Sequence, residues 1–143
     1  MSGAPVELVE RFPGAEDYCR LRAEAGMAPR TIEAARRGLP NTLYGVSLLH
    51  DGDVVGMWRV IGDGGFFFIL VDTAVTPARQ GQGLGKRIMA ALDAWLRANA
   101  PSSAVVSLAA DGDAKHLYAQ FGFVDTTAGA NGQPSVNMEY QVE

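Results

Sequence analysis

Cysteine is nearly absent. The 143 residues contain one, Cys19, so neither a disulfide framework nor a multi-cysteine zinc site can form within the chain. This suits a reducing compartment, and a cytoplasmic location is expected. Long apolar runs are also missing. The longest, Phe66 to Val71, falls far short of the roughly 20 residues of a membrane span and reads by length as a buried strand. The opening Met-Ser-Gly-Ala-Pro-Val-Glu shows no basic region followed by an apolar core, so no signal peptide is expected. Basic charge is not in excess. The net charge of −4 argues against nucleic acid as the main partner. It does not exclude an anionic ligand, because local geometry outweighs a small net charge. Internal repeats, linkers and low-complexity segments are lacking. With 48% apolar and 20% charged residues, the chain has globular rather than disordered composition. A single domain over 1–143 is expected, long enough to bury roughly two-thirds of its unfolded surface.

The most informative stretch is Ile69 to Leu92. An apolar, strand-like run meets a turn at Pro77, and Gly81, Gly83 and Gly85 follow at alternate positions. A helix then begins, with Leu84, Ile88, Ala91, Leu92 and Trp95 on one face. Strand, glycine loop and helix together form an anion cradle. Glycine lets a ligand approach the backbone closely. The first helical N–H groups have no intrahelical partner, the macrodipole is positive there, and phosphate is the natural guest. Lys86 and Arg87 add formal positive charge. Two familiar phosphate loops do not fit. A Walker loop would need glycine at Gln80 and Ser or Thr at Arg87. A Gly-x-Gly-x-x-Gly fingerprint fails at Lys86 from one start and at Ile88 from the other. A nucleotide-phosphate enzyme is therefore disfavoured.

The rest of the chain reads as alternating elements. A weak strand is expected over 6–11 and a helix over Ala15–Ala25, with Tyr18, Leu21 and Ala25 on one face. Cys19 lies beside that face and reads as a small buried side chain. A second helix is expected over Pro29–Gly38, carrying Arg30, Arg36 and Arg37, after a flexible joint at 25–29. Strands are expected over Thr42–Leu49, Val54–Ile61 and Phe66–Thr76. They are linked by turns at Asp51-Gly52, a hairpin signal, and at Asp63-Gly64-Gly65, where Asp63 reads as a turn residue. The glycine-loop helix runs to about Asn99. A strand over Ala104–Ala109 follows, then a helix with Ala114, Leu117, Tyr118 and Phe121 on one face, ended by Gly122. Strands over 123–127 and 135–142 close the chain. The helical crossover between the third and fourth main strands predicts parallel neighbours. The expected class is α/β (α+β), a mixed, mostly antiparallel sheet with a central βαβ and helices on both faces.

Gln80 to Gly85 spells Gln-x-x-Gly-x-Gly directly after Val75-Thr76-Pro77. This resembles the acetyl-CoA-binding motif of the GNAT superfamily of N-acetyltransferases. The element order matches that fold. Leu117-Tyr118-Ala119-Gln120-Phe121-Gly122-Phe123 is similar to the GNAT pattern of a tyrosine before a Phe-Gly-Phe turn. The resemblance covers roughly residues 43–127. It implies that acetyl-CoA is the co-substrate, with no metal, and that a primary amine of a small molecule or peptide is the acceptor. It further implies that Gln80, Gly81, Gln82, Gly83, Leu84, Gly85 and Lys86 hold the pyrophosphate. The backbone of Thr73, Ala74 and Val75 would then align the pantetheine arm in a slot that opens toward the next strand. A strand N–H, Val75 in this reading, would meet the carbonyl oxygen, and Tyr118 would protonate the leaving thiolate. Taken alone, Tyr118 reads as a core aromatic on the helix's apolar face; its place in the motif is what points to the acid.

Departures from the pattern concern the base. Where several family members carry a CoA-contacting asparagine this chain has Asp111, and the Ala104–Ala109 strand has no carboxylate. Asp72 is a candidate base, with a salt-bridged or edge residue as the alternative. His116 reads as a surface residue and His50 as a hairpin residue. Trp58, Arg59, Phe66 and Phe68 could line the acceptor site or be scaffold, with Met27 and Arg30 as weaker candidates. A non-catalytic acyl-CoA-binding module is the competing function. Homodimers are common among such proteins, but no stretch of this sequence establishes one.

Overall fold

A computed structural model describes residues 5–111, 114–125 and 135–142. Seven strands form one sheet: β1 (Glu7–Val9), β2 (Tyr44–His50), β3 (Asp53–Gly62), β4 (Phe67–Val75), β5 (Val105–Asp111), β6 (Val124–Asp125) and β7 (Ser135–Gln141). Their spatial order is β1-β2-β3-β4-β5-β7-β6. Only β4 and β5 run parallel, and every other neighbouring pair is antiparallel. The helices are α1 (Ala15–Glu24), α2 (Ile32–Gly38), α3 (Leu84–Asn99) and α4 (Ala114–Ala119). This is the mixed sheet with a central βαβ that the sequence predicts. Element ends shift by one to three residues: α2 starts at Ile32 rather than Pro29 because Thr31 caps it, its hydroxyl accepting from the Ala34 N–H at 3.1 Å.

Local chemistry accounts for the connections. Asp51 and Gly52 both adopt left-handed backbone (φ 51° and 84°), the two-residue turn whose twist matches the flanking strands. Asp63 turns the chain between β3 and β4, one carboxylate oxygen accepting from the N–H groups of Gly65, Phe66 and Phe67 at 2.8–3.0 Å. These bonds hold its pKa below the usual carboxylate value.

Helices cover both faces. On one, α3 buries Leu84, Ile88, Met89, Leu92 and Leu96 against Val46, Val60, Phe68, Leu70, Val106 and Leu108 of the sheet, and Tyr118 and Phe123 join this core. Ala91 and Trp95 flank the stripe partly buried. On the other face, α1 and α2 bring Ala15, Tyr18, Leu21 and Ala35 against Val54, Met57 and Ala74. Cys19 packs half-buried at the edge of this smaller cluster.

The sheet is irregular where the two halves meet. Along β3 and β4 the register passes from Met57↔Ala74 to Arg59↔Val71, so β4 holds one residue more than β3. This β-bulge falls at Asp72, whose φ is +63°. An extra residue reverses the alternation of side chains. Phe68 and Leu70 point toward α3, whereas Asp72 and Ala74 point toward α1. Among the described residues no helix is long and apolar enough to cross a membrane.

Candidate active site

The glycine loop forms the expected cradle. Pro77–Arg79 makes a single 3-10 turn, and Gly81 and Gly83 take φ values of 81° and 77°, a left-handed conformation that strains any residue with a Cβ. Gly83 caps α3 by position alone, and no side chain bonds the helix's first N–H groups. Those donors face a concavity of about 200 Å³ bounded by Val75, Arg79, Gln80 and the glycines. An uncapped, glycine-lined helix start of 16 residues fits a diphosphate by shape and by charge. Leu84, mostly buried in the main core, also borders it, whereas Gln82 and Lys86 are exposed and do not line it. Gln80 serves the architecture of the loop. Its side-chain amide donates to the Val75 carbonyl at 3.0 Å, tying the loop to the end of β4. Arg87 turns away, its guanidinium donating to the Val6 carbonyl. The formal charge lining the concavity therefore comes from Arg79.

The slot lies next to the cradle. The parallel pairing of β4 and β5 ends at Leu70↔Leu108, although β5 continues along β7 to Asp111↔Ser135. Beyond Leu70 the β5-facing edge of β4 has no partner strand among the described residues. Thr76 donates its N–H to Val55 of β3, so strand alternation aims the N–H groups of Val75 and Thr73 into the gap. A cavity of about 570 Å³ opens there. Thr73 and Asp72 form its β4 wall, Ser107 to Ala109 its β5 wall, and Tyr118 and Trp58 its inner end. Met27 and Arg30 reach its rim from the segment between α1 and α2.

Tyr118 stands where sequence reasoning places it, on the cavity wall. It is 5% exposed and held in edge and tilted contact with Phe123 and Trp58. Its ring belongs to the main core, and the residue also lines the cavity. After α4 ends at Ala119 the chain turns through Gly122, φ +93°, and the N–H groups of Phe121 and Phe123 donate back to the Tyr118 carbonyl.

Asp72 is the other candidate catalytic residue, and the structure gives it the salt-bridged arrangement. Its Oδ1 accepts from Arg22 at 2.8 Å and from the Tyr18 hydroxyl at 2.9 Å, and its Oδ2 accepts from Arg59 at 2.8 Å. The carboxylate is 9% exposed and its two guanidinium partners 5% and 12%. Burial, with the Asp72 charge adding to it, raises the Tyr18 pKa, so this phenol stays protonated as a donor. Arg22 directs its remaining donors, Nε and one terminal nitrogen, to the Ala28 carbonyl at 2.9 and 2.7 Å, and Met27 donates its N–H to the Arg22 carbonyl. The joint expected to be flexible is thereby pinned to α1.

The other residues divide. Trp58 lines the cavity, but Phe68 is buried beneath the sheet and Phe66 is exposed at the far end of β4. His116 is exposed. The side chain of Asp111 lies outside the described residues. Sequence reasoning missed Arg22. The signal was there: Arg22 follows Tyr18 by four residues on the apolar stripe of α1, and a charge on a buried stripe needs a buried partner. Among the described residues no group of three or more His, Cys, Asp and Glu could hold a metal ion.

Residues 44–125 match the acetyltransferase (GNAT) domain family. The chain is 44% identical to the solved structure of SA2161, a protein of unknown function from meticillin-resistant Staphylococcus aureus considered an acetyltransferase. That match has a TM-score of 0.83 and covers 90% of this chain and 97% of the other. It is 27% identical over 120 residues to the uncharacterised N-acetyltransferase ycf52 of Gracilaria tenuistipitata var. liui, covering 81% of this chain and spanning 65% of that relative's length. YhbS, a GNAT N-acetyltransferase of Escherichia coli solved in complex with CoA, shares the fold at 18% identity, with a TM-score of 0.68 over 99% of this chain and 83% of that one. The cradle, the slot and these likenesses agree: the chain belongs to the GNAT acetyltransferase family.

Proposed function

We propose that the protein is an acetyl-CoA-dependent N-acetyltransferase that moves the acetyl group directly to a primary amine. The observation that carries this reading is the continuity of cradle and slot along one strand edge, with Tyr118 at the slot's inner end. The N–H groups of 81–86 hold the diphosphate, and the free edge of Thr73 to Val75 pairs with the amides of the pantetheine arm. Val75 borders the cradle, whereas Thr73 lines the cavity with Tyr118. This favours the Thr73 N–H over that of Val75 as the donor to the developing oxyanion. The ammonium first loses its extra proton to solvent; the neutral amine nitrogen then attacks the thioester carbon and the C–S bond breaks. Tyr118 gives its hydroxyl proton to the leaving sulfur and regains one, through water, from the acylated nitrogen. Asp72, with both oxygens engaged, holds the bulge and the α1–α2 segment in place rather than taking the amine's proton. Cys19, packed at the edge of the α1–α2 cluster, has no part in a direct transfer. A lone, half-buried cysteine suits the cytoplasm.

One observation favours the second reading, a non-catalytic acyl-CoA-binding module: the one carboxylate among the described cavity-lining residues is already ion-paired. Calorimetry with acetyl-CoA and ATP, followed by acetyl transfer over an amine panel, separates the readings. Tight acetyl-CoA binding with turnover is expected. Tighter ATP binding overturns the family reading of the cradle, and binding without any transfer favours the module.

A further inference from the structure

The outer end of the slot has an unequal distribution of charge. Facing it are Arg22 from α1, Arg30 from the α1–α2 segment and Asp72 from β4. A smaller adjoining concavity of about 170 Å³ is lined by Arg30, Arg59 and Tyr18 among others. Three guanidinium groups thus surround one carboxylate, which Arg22 and Arg59 already neutralise at 2.8 Å. β5 contributes Ser107 and β7 contributes Asn137, both uncharged. Glu139 lies one strand further out, as the register partner of Ser107.

Arg30 differs from its neighbours. Arg20 pairs with Asp17 and Glu24, Arg36 with Glu16, and Arg37 with Glu33. Arg22 and Arg59 direct their bonds to Asp72, Ala28 and Thr42. Among the described residues Arg30 has no carboxylate partner, and its single contact is a long 3.4 Å approach to the Pro29 carbonyl. The segment that carries it is nevertheless fixed. Arg22 clamps Ala28, and Thr31 starts α2 with a capping bond. The fixed segment thus presents, at the cavity rim, an exposed cation with no carboxylate of its own among the described residues, a group suited to an anionic ligand.

We infer that the acceptor is a small amine that carries a carboxylate, as an amino acid does, and that Arg30 binds that carboxylate while the amine reaches toward Thr73 and Tyr118. This rests on the acetyltransferase reading and adds the class of acceptor. The same charges disfavour polycationic acceptors such as polyamines and aminoglycosides. Among the described residues, a second ammonium group would meet guanidinium groups and no available carboxylate.

The test offers acetyl-CoA and matched amines to the full chain. Amino acids are compared with their carboxamides, and spermidine and an aminoglycoside serve as polycations. Transfer is read as kcat/KM, and binding to the CoA-loaded protein is read by calorimetry. The expected result is that carboxylates exceed their carboxamides by about threefold or more, as for a charge-assisted pair at an exposed rim. In Arg30→Gln that ratio falls toward one, with the KM for the acceptor rising. Arg30 is exposed, so the variant folds, and an unchanged melting temperature confirms it. Equal rates for carboxylate and carboxamide, faster transfer to the polycations, a preference that survives Arg30→Gln, or no binding or transfer of any carboxylate amine would each overturn the inference. Failure to bind acetyl-CoA at all would instead count against the transferase reading beneath it.

Discussion

The two faces of β4 are built from different materials. Toward α3, Phe68 and Leu70 enter a dry core of aliphatic and aromatic side chains. Toward α1, Asp72 enters a buried cluster of two guanidinium groups and a phenol. The bulge at Asp72 is where one regime gives way to the other. Apolar packing is tolerant in direction and supplies most of the stability. A buried ion cluster adds little net stability, but it accepts only one geometry, since each unpaired charge is costly. In our reading the cofactor edge rests on the first face and the acceptor rim hangs from the second. The molecule uses bulk packing to support the strand and directional bonds to position the segment that meets a variable substrate.

Four substitutions test this division, from the largest effect to the smallest. Tyr118→Phe keeps the ring between Trp58 and Phe123 and removes the proton. It should lower kcat by about 10²–10⁴-fold, the usual contribution of a general acid, with calorimetric affinity for acetyl-CoA unchanged. Undiminished turnover would leave Tyr118 as a core aromatic only. Asp72→Ala leaves Arg22 and Arg59 buried without their carboxylate and should cost about 3–5 kcal/mol in urea unfolding. In the protein that remains folded, the KM for the acceptor should rise while acetyl-CoA affinity holds. A parallel loss of both would show that the two faces do not act separately. Gly83→Asp is the converse. It places a carboxylate at the cradle and strains a left-handed position, so acetyl-CoA affinity should fall about 30-fold or more through repulsion of the diphosphate. Retained affinity would move the anion elsewhere.

The smallest effect is Tyr18→Phe, a loss of about 1.5–3 kcal/mol for a hydrogen bond to a charged group. Its pH dependence has a definite sign. The folded-state pKa of Tyr18 is raised above its ordinary 10.0, so its contribution is complete below pH 10 and declines as pH rises through the folded value. Thermal melts of the wild type should therefore weaken faster above pH 10 than those of Tyr18→Phe. Parallel curves would detach the phenol from the cluster.

This division also explains what was readable in advance. The α3 face, the Asp51-Gly52 hairpin, the Gly122 stop and the glycine cradle are local patterns, written within a few residues of where they act, and each was legible. Tyr118 at the slot was legible through its turn motif. Met27, Arg30 and Trp58 were also named, but the ion cluster behind them was not, because its bonds join residues 13, 50 and 54 positions apart, and no period in the chain links Arg22 or Tyr18 to Asp72. The bulge was hidden for a related reason. It is a mismatch of count between β3 and β4, and neither strand shows it alone. Asp72 and Arg59 could be read singly as polar residues in strands, but their partnership follows only once the register is known.

The bond from Gln80 to the Val75 carbonyl makes the strand a ruler. It fixes the glycine loop to the end of β4, so that in the proposed transferase the loop gripping one end of an extended cofactor is tied to the strand edge along which the rest would lie. Each strand residue advances about 3.3 Å, so the span from the gripped end to Thr73 is set by the count of residues between them. For the proposed transferase, a carrier arm of one length brings its reactive bond opposite Tyr118. Shorter or longer arms, bound as firmly by the loop, would present the wrong atoms there. The enzyme would thus select its donor by length as well as by charge.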